Sequence, residues 1–378
     1  ELQEERTADE EMEVEEKPDV SEIRVERRQR WDEDVWKRSF SEWMREVKRK
    51  RFPYVAQIGD QVVYFRLGYE EYLKDIEKAK LYTIDPKMHP NESVGMEEFA
   101  VVEDVQYILM PYRLIQLKLA RTDAEGKRTG FTWTVKYHDL DCNPDFIILR
   151  AFYEAGLAMN LEVGDEIDAA IEDFWWKGIV ESTVRCALSG DWQSVEVRWE
   201  TGEKEELSLW DVRKGSAAIA THQPVSEEEV ISMGSVPYCE GDWPDEDDGE
   251  TRRRLKIALT ALAQCDTVKE FATAVPVEWF SDYPMMVAYS TDIETICERI
   301  DNQYYRRLRS LLHDVRHLAL AAEAYNGWSA VIVRNAKVLV EAIVRIANDP
   351  SMSNDDFVPS FQSCFDLPES EYKRRPEP

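Results

Sequence analysis

The chain has 378 residues, enough for two or three domains, and 43% of them are hydrophobic, which excludes wholesale disorder. Acidic residues outnumber basic ones by 76 to 47, giving a formal net charge of −29; phosphate repulsion argues against general affinity for nucleic acid, and the charge suits a Lys/Arg-rich partner or simply solubility. No uninterrupted apolar run approaches a membrane span, so no membrane partner is expected, and six scattered cysteines without a CxxC pair read as reduced intracellular thiols.

Beginning at Glu1 and ending in RRPEP, the sequence reads as a segment of something longer. Residues 1–20 are acidic and free of aromatics, the composition of a disordered tail. Residues 21–51 read as a basic amphipathic helix, with Trp31, Val35, Phe40, Trp43, Met44 and Val47 mostly on one stripe. It ends in Lys48-Arg49-Lys50-Arg51, which suits a nuclear-import signal or a DNA-backbone contact. The same cluster suits a solvated helix end complementing the macrodipole.

Residues 52–215 read as β-rich. LIQLKLA (114–120) and FTWTVKY (131–137) flank a turn, TDAEGKRTG, and predict a hairpin. A faint repeat relates IGDQVVYFRLGYEEYL (58–73) to VGDEIDAAIEDFWWKGIV (163–180). Each copy opens on an apolar residue and Gly-Asp, enters a short strand and reaches a cluster of aromatics. The second copy continues through SVEVRWE, a Thr201-Gly202 turn and EELSLWDV, four short strands in the pattern of an SH3-like barrel. Residues 216–250, rich in acid, Gly and Pro, read as a linker.

From Thr251 the period becomes helical. Leu255, Ile257, Leu259 and Leu262 predict a first helix, and a long irregular segment follows. Thr291 as N-cap and Glu294 at N3 make a capping box for a second helix. Leu308, Leu311, Leu312, Val315, Leu318 and Ala322 mark a third, and Val331, Ile332, Ala336, Leu339, Val340, Ile343 and Ile346 a fourth. Together they predict a four-helix bundle over 251–350, with 351–378 as a tail. The fold class is multidomain α+β: an SH3-like or Tudor-like β module with insertions, followed by this all-α bundle.

No phosphate loop, dinucleotide fingerprint, nucleophile elbow or HExxH occurs. His313 and His317 sit at i, i+4, but no further cluster completes a metal site. Neither an enzyme nor a cofactor is expected.

The first connection of the bundle carries Phe271, Pro276, Val277, Trp279, Phe280, Tyr283, Pro284, Met285 and Met286, too apolar for a solvated loop. It lies at the same end as Tyr325-Asn326, so a cleft between them is the natural pocket. Pro276-Val277, Tyr283, TDIETI (291–296), RIDNQYY (299–305) and Tyr325-Asn326, in that order and spacing, resemble the bromodomain family. The resemblance implies a left-handed four-helix bundle that binds acetyl-lysine. Asn326 would donate its amide N–H to the acetyl carbonyl, Tyr283 would reach it through water, and Val277, Tyr325 and Ile332 would line the channel. On its own, Asn-Gly after a helix is a C-cap.

The strands at 161–213 look like a Tudor module, which holds methyl-lysine in an aromatic cage. The resemblance places Trp176 and Trp199 at cage positions, with Trp175, Tyr64 and Tyr69 (or Tyr72) as candidates to complete it; the same rings also suit the core of a small barrel. Two Tudor-like repeats before a bromodomain resemble the bromodomain and WD-repeat-containing protein family. That resemblance implies a nuclear chromatin reader of histone H3 tails methylated on their first lysine (H3K4) and of acetylated tails, with a link to ubiquitin-ligase assembly. The competing expectation is a scaffold that binds protein partners and reads no modification.

Overall fold

The computed structural model describes residues 43–52, 54–80, 82–109, 113–138, 146–183, 190–237, 241–244, 249–349 and 361. The acidic tail, the basic helix up to residue 42 and all of the C-terminal tail except Phe361 lie outside these residues. Of the expected helix over 21–51, the described end is a 3-10 turn, Trp43–Arg45, followed by irregular chain. Its cations have partners within the fold. Lys48 pairs with Glu227, Arg49 donates to the Gln303 carbonyl, Lys50 pairs with Glu46, and Arg51 lies 5.0 Å from the Phe152 ring centroid.

Two antiparallel sheets follow. The first has the order β4-β3-β2-β1-β5, from β1 (Gln61–Phe65), β2 (Glu97–Ile108), β3 (Leu114–Thr122), β4 (Arg128–Tyr137) and β5 (Ile147–Leu149). The second has the order β10-β6-β7-β8-β9, from β6 (Glu166–Ile171), β7 (Phe174–Thr183), β8 (Val195–Trp199), β9 (Lys204–Leu207) and β10 (Val212–Lys214). β9 and β10 lie at opposite edges, so the expected barrel is an open sheet among the described residues.

β1 explains why the two sheets form one body. Val62 and Tyr64 face the first core, whereas Val63 and Phe65 face the second, alongside Trp210 and Ile167. A strand buried on both faces must be apolar throughout, which is why QVVYF does not alternate. Phe65 stacks on Trp210 with ring centroids 4.7 Å apart, a contact contributing about 0.5–1.5 kcal/mol beyond burial.

The repeat is real at its opening and diverges after it. Gly59 donates to the Val102 carbonyl (2.7 Å) and Val102 returns a bond to the Asp60 carbonyl; Gly164 and Val180 do the same with Asp165. Each carboxylate also accepts the backbone N–H three residues before it, Gln57 in one copy and Glu162 in the other. Both glycines need positive φ, 91° and 97°, which glycine adopts without strain. Beyond the strand the second copy turns back into β7, but the first becomes helix α1 (Arg66–Ala79). Tyr69, Tyr72, Leu73 and Ile76 fall on one helical face and are buried.

After α2 (Arg150–Ala158), the stretch expected as a linker is partly packed chain. Residues 222–225 hydrogen-bond along the start of β7, and α3 (Glu227–Met233) opens on a Ser226–Glu229 capping box. Trp243 is buried against the helical core. That core is formed by α4 (Gly249–Leu262), α6 (Ile293–Asp301), α7 (Leu308–Asn326) and α8 (Val331–Asn348), with the one-turn α5 (Tyr283–Met286) in the first connection. The side-chain cap of α6 is Asp292, one residue after the Thr291 expected from the sequence; it accepts the Thr295 N–H at 2.9 Å.

The sheets and the bundle meet at ion pairs. Asp60, fully buried, receives Arg306 at 2.6 Å and Arg307 at 2.7 Å, and also the Tyr54 hydroxyl. Gln57 bonds both the Tyr304 carbonyl and the Arg306 N–H. Burial alone would raise the Asp60 carboxyl, but the two guanidiniums hold it below the usual range. Beside it, Arg299 and Asp314 pair at 2.6 Å; Tyr289 and Tyr305 donate to Asp314, and Arg299 donates to the Met44 and Glu46 carbonyls. Tyr107 of β2 stacks on Tyr289 at 4.2 Å, and His313 bonds the Val105 carbonyl.

Asp60→Asn leaves the Arg306 guanidinium without a carboxylate partner, while Arg307 keeps Asp242 at 2.7 Å, and is expected to cost about 3–5 kcal/mol in urea denaturation. Asp165→Asn, in the equivalent turn on the second sheet, should cost less than about 1 kcal/mol. Burial at the same junction lowers His317 to about 3 from an ordinary value of 6.5. The unfolded chain then binds the proton that the folded one refuses, so stability is full above 6.5 and falls toward pH 3. His317→Gln should remove a slope of up to ~1.4 kcal/mol per pH unit in that window, read from denaturation midpoints.

Candidate functional site

One end of the bundle gathers three of the five residues expected around acetyl-lysine. α7 ends because Gly327 adopts φ 79° and donates to the Glu323 carbonyl. Gly327 supplies the cap, so Asn326 stays helical and its side chain is not needed to stop the helix. Its amide nitrogen donates to the Ala322 carbonyl at 3.0 Å, and an amide nitrogen carries a second N–H. One residue earlier, Tyr325 sits edge-on to Tyr283 with centroids 5.1 Å apart, and its hydroxyl donates to Asp282 at 3.0 Å. Tyr283 is buried in a small cluster with Val287, Ala321, Val275 and Tyr325, its hydroxyl 3.1 Å from Ser290 Oγ. Both phenols are raised above the ordinary value, Tyr283 mainly by burial and Tyr325 by its bond to Asp282. They are donors at neutral pH.

Val277 and Ile332 stand apart from this cluster. Val277 is exposed in the turn closed by Trp279 and Phe280 N–H bonds to the Pro276 carbonyl. Ile332 packs against the main bundle core. The apolar loop folds inward only in part, at Tyr283 and Pro284 as well as Phe271. Phe271 is buried, but Trp279 is 83% exposed and Met285, Met286 and Trp328 also face solvent. At the Asn326 end Phe280 sits edge-on to Tyr325, with ring centroids 6.2 Å apart, and the exposed Trp328 follows two residues after Asn326.

The five candidate cage aromatics do not converge. Tyr64 and Tyr69, each 1% exposed, lie in the first sheet's core and offer no ring face to a peptide. Trp175 is buried with Arg213 3.6 Å from its ring centroid, so a cation already covers that ring. Trp176 and Trp199 are brought together, 6.3 Å apart at 63°. The cause is local: Trp199 lies opposite Gly178 in the β7–β8 register, and the missing Cβ lets the indole settle beside Trp176. The Trp199 indole N–H donates to Glu205 at 3.2 Å. His222 closes a third side, 4.4 Å from Trp176 at 74°. Sequence reasoning missed His222 because it lies in the supposed linker; a left-handed His before Gln-Pro gave no motif.

His313 and His317 pack ring to ring at 4.6 Å against Tyr107 and Tyr289, and no metal-binding cluster occurs among the described residues. No described helix is long and apolar enough to cross a membrane.

Comparison with known families agrees with this architecture. Residues 255–338 match the bromodomain family model, so the helical unit is a bromodomain, which indicates an acetyl-lysine chromatin reader. Residues 52–220 match the BRWD/PHIP ancillary domain-like domain, and the two matches in this order are consistent with a BRWD/PHIP-type bromodomain protein. Both are non-enzymatic reader domains.

Gly178→Ala would drive a methyl into Val197 and against Trp199. It is expected to cost about 1–3 kcal/mol in thermal or urea denaturation and to shift tryptophan fluorescence as the Trp176–Trp199 pair opens.

Proposed function

We propose that this chain is a nuclear reader of histone tails with two sites on one body. The bromodomain takes acetyl-lysine, and the β module takes the methylated first lysine of H3 (H3K4). The observation that carries the acetyl half is the Asn326 amide, held by Ala322 beside the Tyr325–Tyr283 pair with an N–H to spare. Acetylation removes the lysine charge, so an apolar wall with one amide donor suits the product. One net hydrogen bond contributes about 1 kcal/mol, and affinities on the order of 10 μM to 1 mM follow. The acidic surface, net −29, attracts Lys/Arg-rich tails.

Support for the methyl half is the partly exposed Trp176 ring with His222 beside it and Trp199, itself only 5% exposed, behind it, since ring faces attract a methylammonium by about 0.5–2 kcal/mol each. Recruitment of a ubiquitin-ligase assembly belongs to parts of a longer protein, and any nucleic-acid contact is confined to Lys48, Arg49, Lys50 and Arg51, each of which also has a partner within the fold.

Titrating the chain with acetylated H4 and H3K4-methylated peptides separates the halves. Asn326→Ala should weaken the acetylated peptide about tenfold and leave the methylated one unchanged. Trp176→Ala should do the reverse. Wild-type protein that binds neither peptide would favour the scaffold reading instead.

A further inference from the structure

The acetyl-lysine end is not built by the bromodomain alone. Tyr283 sits at the start of α5, a single turn of four residues, too short to hold its own shape in water. Within that turn the Tyr283 carbonyl accepts the Val287 N–H at 3.0 Å. The later carbonyls of a helix have no partner inside it and need donors from elsewhere. For Pro284 the donor comes from the other domain. Arg113, buried at the foot of β3, donates to the Pro284 carbonyl at 2.5 Å and to the Ala288 carbonyl at 3.2 Å. One guanidinium thus grips both ends of the segment after Tyr283, and its charge lies favourably at a helix C-terminus. The next residue, Tyr289, is clamped between Tyr107 of β2 and His317.

We infer that Arg113 of the ancillary domain is a positioning residue for the acetyl-lysine site, setting Tyr283 against Tyr325 through the backbone of α5. This rests on the acetyl-lysine reading for its functional consequence, but the clamp itself is independent of that reading. Arg113 touches no ligand. It acts by fixing the turn that carries Tyr283, Val287 and Ser290, so pocket competence requires the docked ancillary domain.

Amide hydrogen exchange on the full chain tests the clamp. In Arg113→Ala, the Val287 amide, which bonds Tyr283, should exchange about tenfold faster, as expected for loss of charge-assisted bonds. The Ile296 amide of α6, bonded to Asp292, is the internal control and should not change. Arg113→Lys, which keeps the charge but not the fork, should fall between. A Val287 rate that is unchanged, or that rises only in step with Ile296, overturns the clamp. Acetylated-peptide affinity should drop about five- to tenfold in Arg113→Ala, with methylated-peptide binding retained. Selective loosening at Val287 with wild-type acetyl-peptide affinity overturns the positioning role. Wild-type protein that binds no acetylated peptide refutes the acetyl reading, while the exchange rates still decide the clamp.

Discussion

A single buried carboxylate organises the protein. Asp60 has no solvent to stabilise its charge, so the two guanidiniums of Arg306 and Arg307 must supply that stabilisation. Those arginines belong to the connection between α6 and α7, and Asp60 belongs to the turn before β1. Satisfying the charge therefore fixes one domain on the other. Everything nearby follows that constraint: Gln57 reads the backbone of the same connection, Arg299 and Asp314 fill the space beside it, and Tyr107 meets Tyr289. Asp165 shows what the same turn does without this load. It keeps the backbone bonds of Asp60 and caps Glu162, but stays partly open to solvent.

The same logic runs through the β module. β1 cannot belong to one sheet's core alone, because alternate residues are committed to two. The two repeats are consequently not independent modules on a string. On the proposed reading, two weak sites on one rigid unit gain from each other without ordering a linker, since holding one mark raises the effective concentration of the other.

How legible was this in the sequence? Bundle helices were read from the spacing of Leu311, Val315, Leu318 and Ala322, because a 3.6-residue period survives any tertiary context. The hairpin around TDAEGKRTG and the strands of the second repeat were equally plain. α1 was missed although Tyr69, Tyr72, Leu73 and Ile76 carry the helical period, since the likeness to the second repeat argued for a strand. At the site, Asn326, Tyr283 and Tyr325 were named, and all three lie at one end of the bundle. Tyr64, Tyr69 and Trp175 were named for a cage and are buried elsewhere, because aromatic composition does not say which face of a strand or helix a ring takes. Arg113, His222 and the Asp60 pairs were illegible for a common reason. Their partners lie more than 40 residues away along the chain, and no local pattern encodes a pairing across domains.

The account turns on the β module and the bromodomain being one cooperative unit. Urea unfolding of the chain followed by two probes decides it: helical far-UV signal, dominated by the bundle, and fluorescence of Trp210, buried between the sheets and isolated by replacing the other tryptophans with Phe. Coincident transitions with one midpoint and one slope are expected. Two separated midpoints, with the sheets and the bundle unfolding independently, would contradict the account.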